Sequence, residues 1–81
     1  MFYTYILESI NHPEKTYIGY TLDINRRLEE HNSNSDKSQY TKKYKPWKIR
    51  CYFAFEEEQK AIKFEKYLKT GSGKAFFKRH L

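Results

Sequence analysis

The chain has 81 residues, 38% hydrophobic and 19% aromatic, with eight Tyr, and carries a formal charge of +6 from sixteen Lys and Arg against ten Asp and Glu. That length suits one domain with a modest core and excludes a second, and the basic balance favours nucleic acid or another polyanion as partner. Cys51 stands alone, no Cys/His cluster has zinc-site spacing, and no apolar run approaches the ~18 residues of a membrane span, so a soluble, unexported protein of a reducing cytoplasm is expected.

Residues 3–7 and 16–21 are rich in β-branched and aromatic side chains, and the polar stretch 11–15 between them carries turn residues. They predict a hairpin with a loop longer than two residues. Asp23 stands as an N-cap before Ile24, Leu28 and His31, which recur at helical spacing until Asn32, Ser33, Asn34 and Ser35 end the helix. From residue 32 to 46 the chain is polar and basic, with Lys37, Lys42, Lys43 and Lys45 interleaved with Tyr40 and Tyr44, and reads as a surface loop. Trp47, Ile49, Cys51 and Phe53 alternate with Lys48, Arg50 and Tyr52 as a half-buried third strand. Glu56, Glu57 and Glu58 open a second helix with negative charge at its positive end, Lys66 and Lys69 fall in its last turns, and Gly71, Ser72 and Gly73 stop it. Residues 74–80 read as a short third helix that docks through Phe76 and Phe77. The expected fold is α/β (α+β): a small three-stranded, mainly antiparallel sheet flanked by about three helices, in the order ββαβαα.

The second helix holds an anomaly. Its apolar stripe is Ala61, Phe64 and Leu68 with Ile62 at one edge, and at about 100° per residue Glu65 projects inside that stripe. A carboxylate there needs a cation, a donor cluster or a cleft, so a structural salt bridge and a divalent-metal ligand are both open. Mg²⁺ commonly binds through one carboxylate plus water and substrate phosphate. In the first helix His31 projects beside Ile24 and Arg27 lies just beyond it, whereas Arg26 points nearly to the opposite side. Arg27 reads as a flank residue paired with Asp23 or as functional, and His31 as a helix C-terminal cap or as functional; their shared face sets them apart. Tyr5 and Tyr17 read as core or as phenols at a site, and Gly19 leaves space beside Tyr17 on its own face of the strand. Trp47, Cys51 and Phe53 read as core.

Tyr17-Ile18-Gly19 in a second strand, a Tyr-bearing first strand, an Arg ten residues beyond Tyr17, a His four further on and a Glu on a later helix form an arrangement that resembles the GIY-YIG nucleases. The resemblance covers essentially the whole chain and is greatest to the short single-domain bacterial members. The first motif reads Tyr3-Thr4-Tyr5, without the Gly and Ile of the family's name, and residues 74–81 contain no counterpart of its C-terminal Asn. The resemblance implies a DNA endonuclease using one Mg²⁺ or Mn²⁺ ion. Tyr17 would act at the attacking water, Tyr5 would support the site, Arg27 would neutralise the phosphate, His31 would hydrogen-bond near the nucleophile and Glu65 would hold the metal.

Nucleic-acid contacts are expected from Tyr20 next to Gly19, from Tyr40, Lys42, Lys43 and Lys45 in the basic segment, and from Lys74 at the start of the last helix. So small a surface suits low sequence specificity, with structure-selective or single-strand DNA cleavage in repair or processing. The competing expectation is a catalytically inactive nucleic-acid-binding module of the same fold, for which a protein partner is one route of action.

Overall fold

The structure, a computed structural model, describes residues 1–34 and 37–81. β1 (Phe2–Ser9) is the central strand of a three-stranded antiparallel sheet, flanked by β2 (Thr16–Thr21) and β3 (Trp47–Phe55). The hairpin loop is the longer kind that its turn residues predict, closed by the Ser9 N–H donating to the Lys15 carbonyl at 3.0 Å.

Both faces of β1 are covered. Thr4, Tyr5, Ile6 and Leu7 are buried in succession, so the strand lacks the alternation of a half-exposed one. Tyr5 and Leu7 face α1 (Ile24–Asn32) and α2 (Gln39–Tyr44), in a core that includes Trp47, Leu28, Tyr44 and Ile49. Thr4 faces α3 (Glu58–Leu68), against which α4 (Gly71–His80) packs. Here Phe64 gathers Phe53 and Phe55 from the sheet and Phe76 from α4, with ring centroids 4.7, 5.8 and 6.2 Å away. Burying such rings in edge-to-face contact is the main source of stability available to so small a domain.

Between Ile6 and Leu7 the register on β3 skips Arg50, because Ile6 pairs with Cys51 and Leu7 with Ile49. This bulge turns the apolar alternation over. Trp47 and Ile49 join the α1 and α2 layer, whereas Phe53 meets Phe64 on α3. Arg50 then donates to the Leu81 carbonyl at 2.9 Å and lies over the Phe77 ring, fastening the end of α4 to the sheet.

Two stretches differ from expectation. The polar segment read as a loop contains α2, a six-residue helix too short to hold by propensity alone. Ser38 caps it by accepting from the Thr41 N–H, the Trp47 indole donates to the Thr41 carbonyl at 2.9 Å, and Ser9 donates to the Tyr44 carbonyl at 2.6 Å. Among the described residues there are therefore four helices, where about three were expected. The glycines read as a stop after the second helix are instead the first turn of α4, capped by Thr70. A Cβ at Gly73 would fall on the Tyr67 carbonyl, so only glycine lets α4 start this close to the end of α3. Ser35, read as part of the first helix stop, lies outside the described residues. Among the described residues no helix is long and apolar enough to cross a membrane.

Asn32 closes α1 onto the sheet. Its Oδ1 accepts from the Trp47 N–H at 2.6 Å and its Nδ2 donates to the Trp47 carbonyl at 3.0 Å, so one amide satisfies both backbone groups where β3 begins. Asn32→Ala leaves both groups without that partner in a half-buried setting and should cost about 2 kcal/mol. Urea unfolding should show the midpoint falling at unchanged slope.

Candidate active site

The site is built around β2. In the sheet register Tyr5 stands opposite Gly19, and a Cβ placed on Gly19 would collide with the Tyr5 phenol oxygen and ring. The space expected beside Tyr17 is therefore taken by Tyr5: Gly19 lets a buried phenol from the central strand lie across the edge strand. Tyr17 flanks it, with ring centroids 6.2 Å apart. Both rings face α1.

Asp23 caps α1 as expected, its carboxylate accepting from the Arg26 N–H at 3.1 Å. That cap fixes the rotation of the helix. His31, 1% exposed, hydrogen-bonds the Tyr5 oxygen through Nε2 at 3.1 Å and packs on Tyr17 at 4.7 Å between centroids. Arg27 does not pair with Asp23; it pairs with Glu30 at 3.1 Å and still faces Tyr5 and Tyr17 electrostatically. Arg26, one step round the helix, is exposed.

The two tyrosines are not equivalent. Burial, then the neighbouring Tyr17, pushes the Tyr5 phenol up to about 12, with Arg27 opposing and Glu65 adding to the rise. Tyr5 is thus a neutral hydrogen-bonding group throughout the physiological range. Among the described residues the Tyr17 hydroxyl has no hydrogen-bond partner, which leaves it available to a bound molecule.

Glu65 approaches from the opposite layer. It lies on α3, which packs on β2, and is near enough for its charge to act on Tyr5. Its side chain is 21% exposed, and its Oε2 takes an ion pair from Lys69 at 2.9 Å. No group of three or more His, Cys, Asp or Glu side chains suited to a metal occurs among the described residues. A single accessible carboxylate already facing a cation fits Mg²⁺ or Mn²⁺, which need few protein ligands when substrate phosphate and water complete the shell.

Tyr5, Tyr17 and His31 thus touch one another, with Arg27 and Glu65 within electrostatic reach of Tyr5, while the expected nucleic-acid contacts are dispersed. Tyr20 points to the α3 side and donates to Glu58, a bond that pushes its phenol up to about 12. Tyr40 donates to the Thr16 carbonyl at 2.8 Å and packs on Tyr44 and Trp47. Lys42 and Lys43 end α2, and Lys45 donates to Asn34 at 2.8 Å. Lys74 lies in α4, on the side of the sheet away from α1. Lys69, the partner of Glu65, went unrecognised in the sequence as a site residue, although its position four residues after Glu65 signals the pair.

A family model described as GIY-YIG catalytic domain matches residues 1–79. A relative from Streptococcus agalactiae serotype V, named a UPF0213 protein, is 33% identical over 96% of this chain and 89% of its own length. A UPF0213 protein from Syntrophus aciditrophicus is 46% identical over 58% of this chain and 52% of its own length. A Mycosarcoma maydis protein named structure-specific endonuclease subunit SLX1 is 36% identical over 75% of this chain. The matched region spans only 10% of that protein and about half of the Syntrophus one.

The raised pKa of Tyr5 has a consequence for stability. Below pH 10 the phenol is neutral in the folded and unfolded chain alike; between pH 10 and 12 the unfolded chain ionises first, so stability falls. In Tyr5→Phe that contribution is absent, and the alkaline loss of unfolding free energy should shrink by on the order of 2 kcal/mol. Denaturant unfolding of both proteins at neutral and alkaline pH measures the difference.

Proposed function

The chain belongs to the GIY-YIG catalytic-domain family, and we propose that it is a metal-dependent endonuclease that hydrolyses DNA phosphodiester bonds. One observation supports this above others: two phenols, a histidine and an arginine share the β2 end of one sheet face, and a carboxylate from the opposite layer acts on the same phenol.

Phosphodiester hydrolysis needs an oriented water, positive charge near the non-bridging oxygens and stabilisation of the leaving oxygen. Tyr17, with its free hydroxyl, orients the water and passes on its proton. Tyr5 stays protonated and fixes His31, which holds the other side of the nucleophile. Arg27 turns its guanidinium to the phosphate, a movement its exposed pairing with Glu30 permits at little cost. Glu65 would hold Mg²⁺ or Mn²⁺, which supplies Lewis-acid stabilisation of the phosphate and leaving oxygens.

The substrate we infer is DNA cut with low sequence specificity, structure-selective or single-stranded, in repair or processing. The charge of +6, the exposed lysines of α2 and Tyr40 beside them offer phosphate and stacking contacts that carry no base code. The Mycosarcoma relative, named a structure-specific endonuclease subunit, supports the same substrate class and leaves room for a protein partner. The free Cys51 suits a reducing cytoplasm.

Plasmid or single-stranded DNA should be nicked with Mg²⁺ or Mn²⁺ and left intact with EDTA, and Glu65→Gln should abolish cleavage while the protein remains folded. Wild-type rates in Glu65→Gln across a Mg²⁺ titration would remove Glu65 as metal ligand. Arg26 and Arg27 separate catalysis from general basicity. Arg27→Ala should lose about 3 kcal/mol of transition-state stabilisation, roughly a hundredfold in rate. Arg26→Ala should lose at most a few-fold, through surface charge. Single-turnover rates at saturating protein keep weaker binding from counting as slower chemistry. Equal losses would reject the role of Arg27 and favour an inert DNA-binding module.

A further inference from the structure

A cavity of about 390 Å³ opens between the β2 edge and the junction of α3 and α4, lined by Thr16, Ile18, Leu68, Lys69, Lys74 and Phe77. Its volume lies in the range of small-molecule sites, about 300–1,000 Å³. The floor is apolar: Leu68 is fully buried, and Ile18 and Phe77 are half-buried. Its lining includes two lysines, Lys69 and Lys74, and no Asp or Glu. A flat uncharged group on the floor with a phosphate between the lysines satisfies both features at once, and a nucleotide has that composition. A second cavity, about 260 Å³ beside α1, has Asp23 in its wall and no Lys or Arg, so it offers a phosphate nothing.

Lys69 joins this cavity to the catalytic carboxylate. It lines the cavity, and its Nζ lies 2.9 Å from Glu65 Oε2. Its side chain is 54% exposed, and an exposed ion pair of this spacing contributes little, so the ammonium can change partners cheaply. Lys74 has no ion-pair partner among the described residues, so it meets a phosphate without first giving up another contact.

We propose that this cavity is the subsite for the nucleotide adjoining the scissile phosphate, and that Lys69 leaves the Glu65 carboxylate for that nucleotide's phosphate when a divalent ion takes its place. The proposal rests on the nuclease reading. Without a divalent ion Lys69 neutralises Glu65; with one, the same charge is free to hold substrate. The site thereby couples metal binding to DNA binding through one side chain.

The test uses the full chain, the thymidine dinucleotide pTpT and Mn²⁺. In EDTA, pTpT should shift the backbone amide NMR signals of Ile18, Leu68 and Phe77 and Lys74→Met should weaken binding several-fold, whereas Lys69→Met should weaken it several-fold only with Mn²⁺ present, when Lys69 has left Glu65. Shifts confined to other elements would overturn the subsite. So would equal affinity for inorganic phosphate, because the floor would then contribute nothing. In calorimetry without DNA, Lys69→Met should bind Mn²⁺ several-fold more tightly, having lost its internal competitor, while Lys74→Met should match wild type. Unchanged or weaker Mn²⁺ binding by Lys69→Met would overturn the exchange, and Lys69→Gln repeats the comparison should Lys69→Met fail to fold. Nicking by the wild type keeps the two proposals separable. Nicking with pTpT bound elsewhere rejects the subsite alone; pTpT in the cavity without nicking rejects the nuclease reading and keeps the cavity as a nucleotide site.

Discussion

A strand sandwiched between two helical layers cannot leave a hydroxyl unpaired, because the lost hydration would cost more than the burial returns. β1 is such a strand, and it carries Thr4, Tyr5 and Ser9, all buried. Each meets its obligation on a different helix. Thr4 donates to the Ala61 carbonyl of α3 at 2.6 Å, Tyr5 bonds His31 of α1, and Ser9 donates to the Tyr44 carbonyl of α2. Three helices are thereby positioned against one strand by directional contacts, which non-directional apolar packing does not provide. Among the described residues no buried side-chain polar atom lacks a partner. The bond between Tyr5 and His31 in the candidate site belongs to this set, so the geometry of that site and the docking of the helices are fixed by the same requirement.

Much of this was legible in the sequence because it depends on local periodicity. Asp23 as a cap sets the rotation of α1, and rotation alone separates Arg27 and His31 from Arg26. Glu65 stood out because a carboxylate in an apolar stripe needs a partner. What was not legible depends on residues distant in the chain. α2 exists because Trp47 and Ser9 hold its carbonyls, and a polar six-residue stretch gives no periodic sign of that. The bulge at Arg50 keeps the alternation of β3 intact while reversing the layer to which it points, so the pattern could not reveal it. Gly19 was legible as a place of close approach and Gly73 only as part of a helix stop; the groups that approach them, the Tyr5 ring and the Tyr67 carbonyl, come from the register and the α3 to α4 turn.

The two layers bring unlike electrostatics to β2. On the α1 side stand Tyr5 held protonated by burial, Tyr17, His31 and the Arg27 guanidinium, which is paired with Glu30 on the exposed flank of the helix. From the α3 side come Glu58, which accepts from Tyr20 of β2, and Glu65, which carries its own cation in Lys69. A phosphodiester is an anion, and so many donors around one anion would bind substrate as strongly as transition state unless something negative were present to hold a counter-ion where charge develops. In the proposed reaction the isolated Glu65 has that part, and its isolation matters. A second carboxylate beside it would bind a divalent ion more tightly without substrate and repel the phosphate that completes the shell.

An edge strand is where such a site has to be. Residues from opposite faces of a sheet are separated by the sheet itself, except where its last strand ends and side chains from both layers can reach round it. β2 is an edge strand, and an exposed edge is ordinarily a hazard because its unpaired backbone groups invite another strand. Here the edge is occupied by use. Tyr5 crosses it over Gly19, Tyr17 stands on it, the Tyr40 hydroxyl donates to the Thr16 carbonyl at its start, and the cavity bordered by Lys69 and Lys74 runs along its other face. Among the described residues there is one sheet with a helical layer on each face. The β2 edge is the place where a phenol from the central strand and a carboxylate from the opposite layer can address one phosphate, so the residue that makes the crossing possible, Gly19, is as much a part of the site as the groups that would do the chemistry.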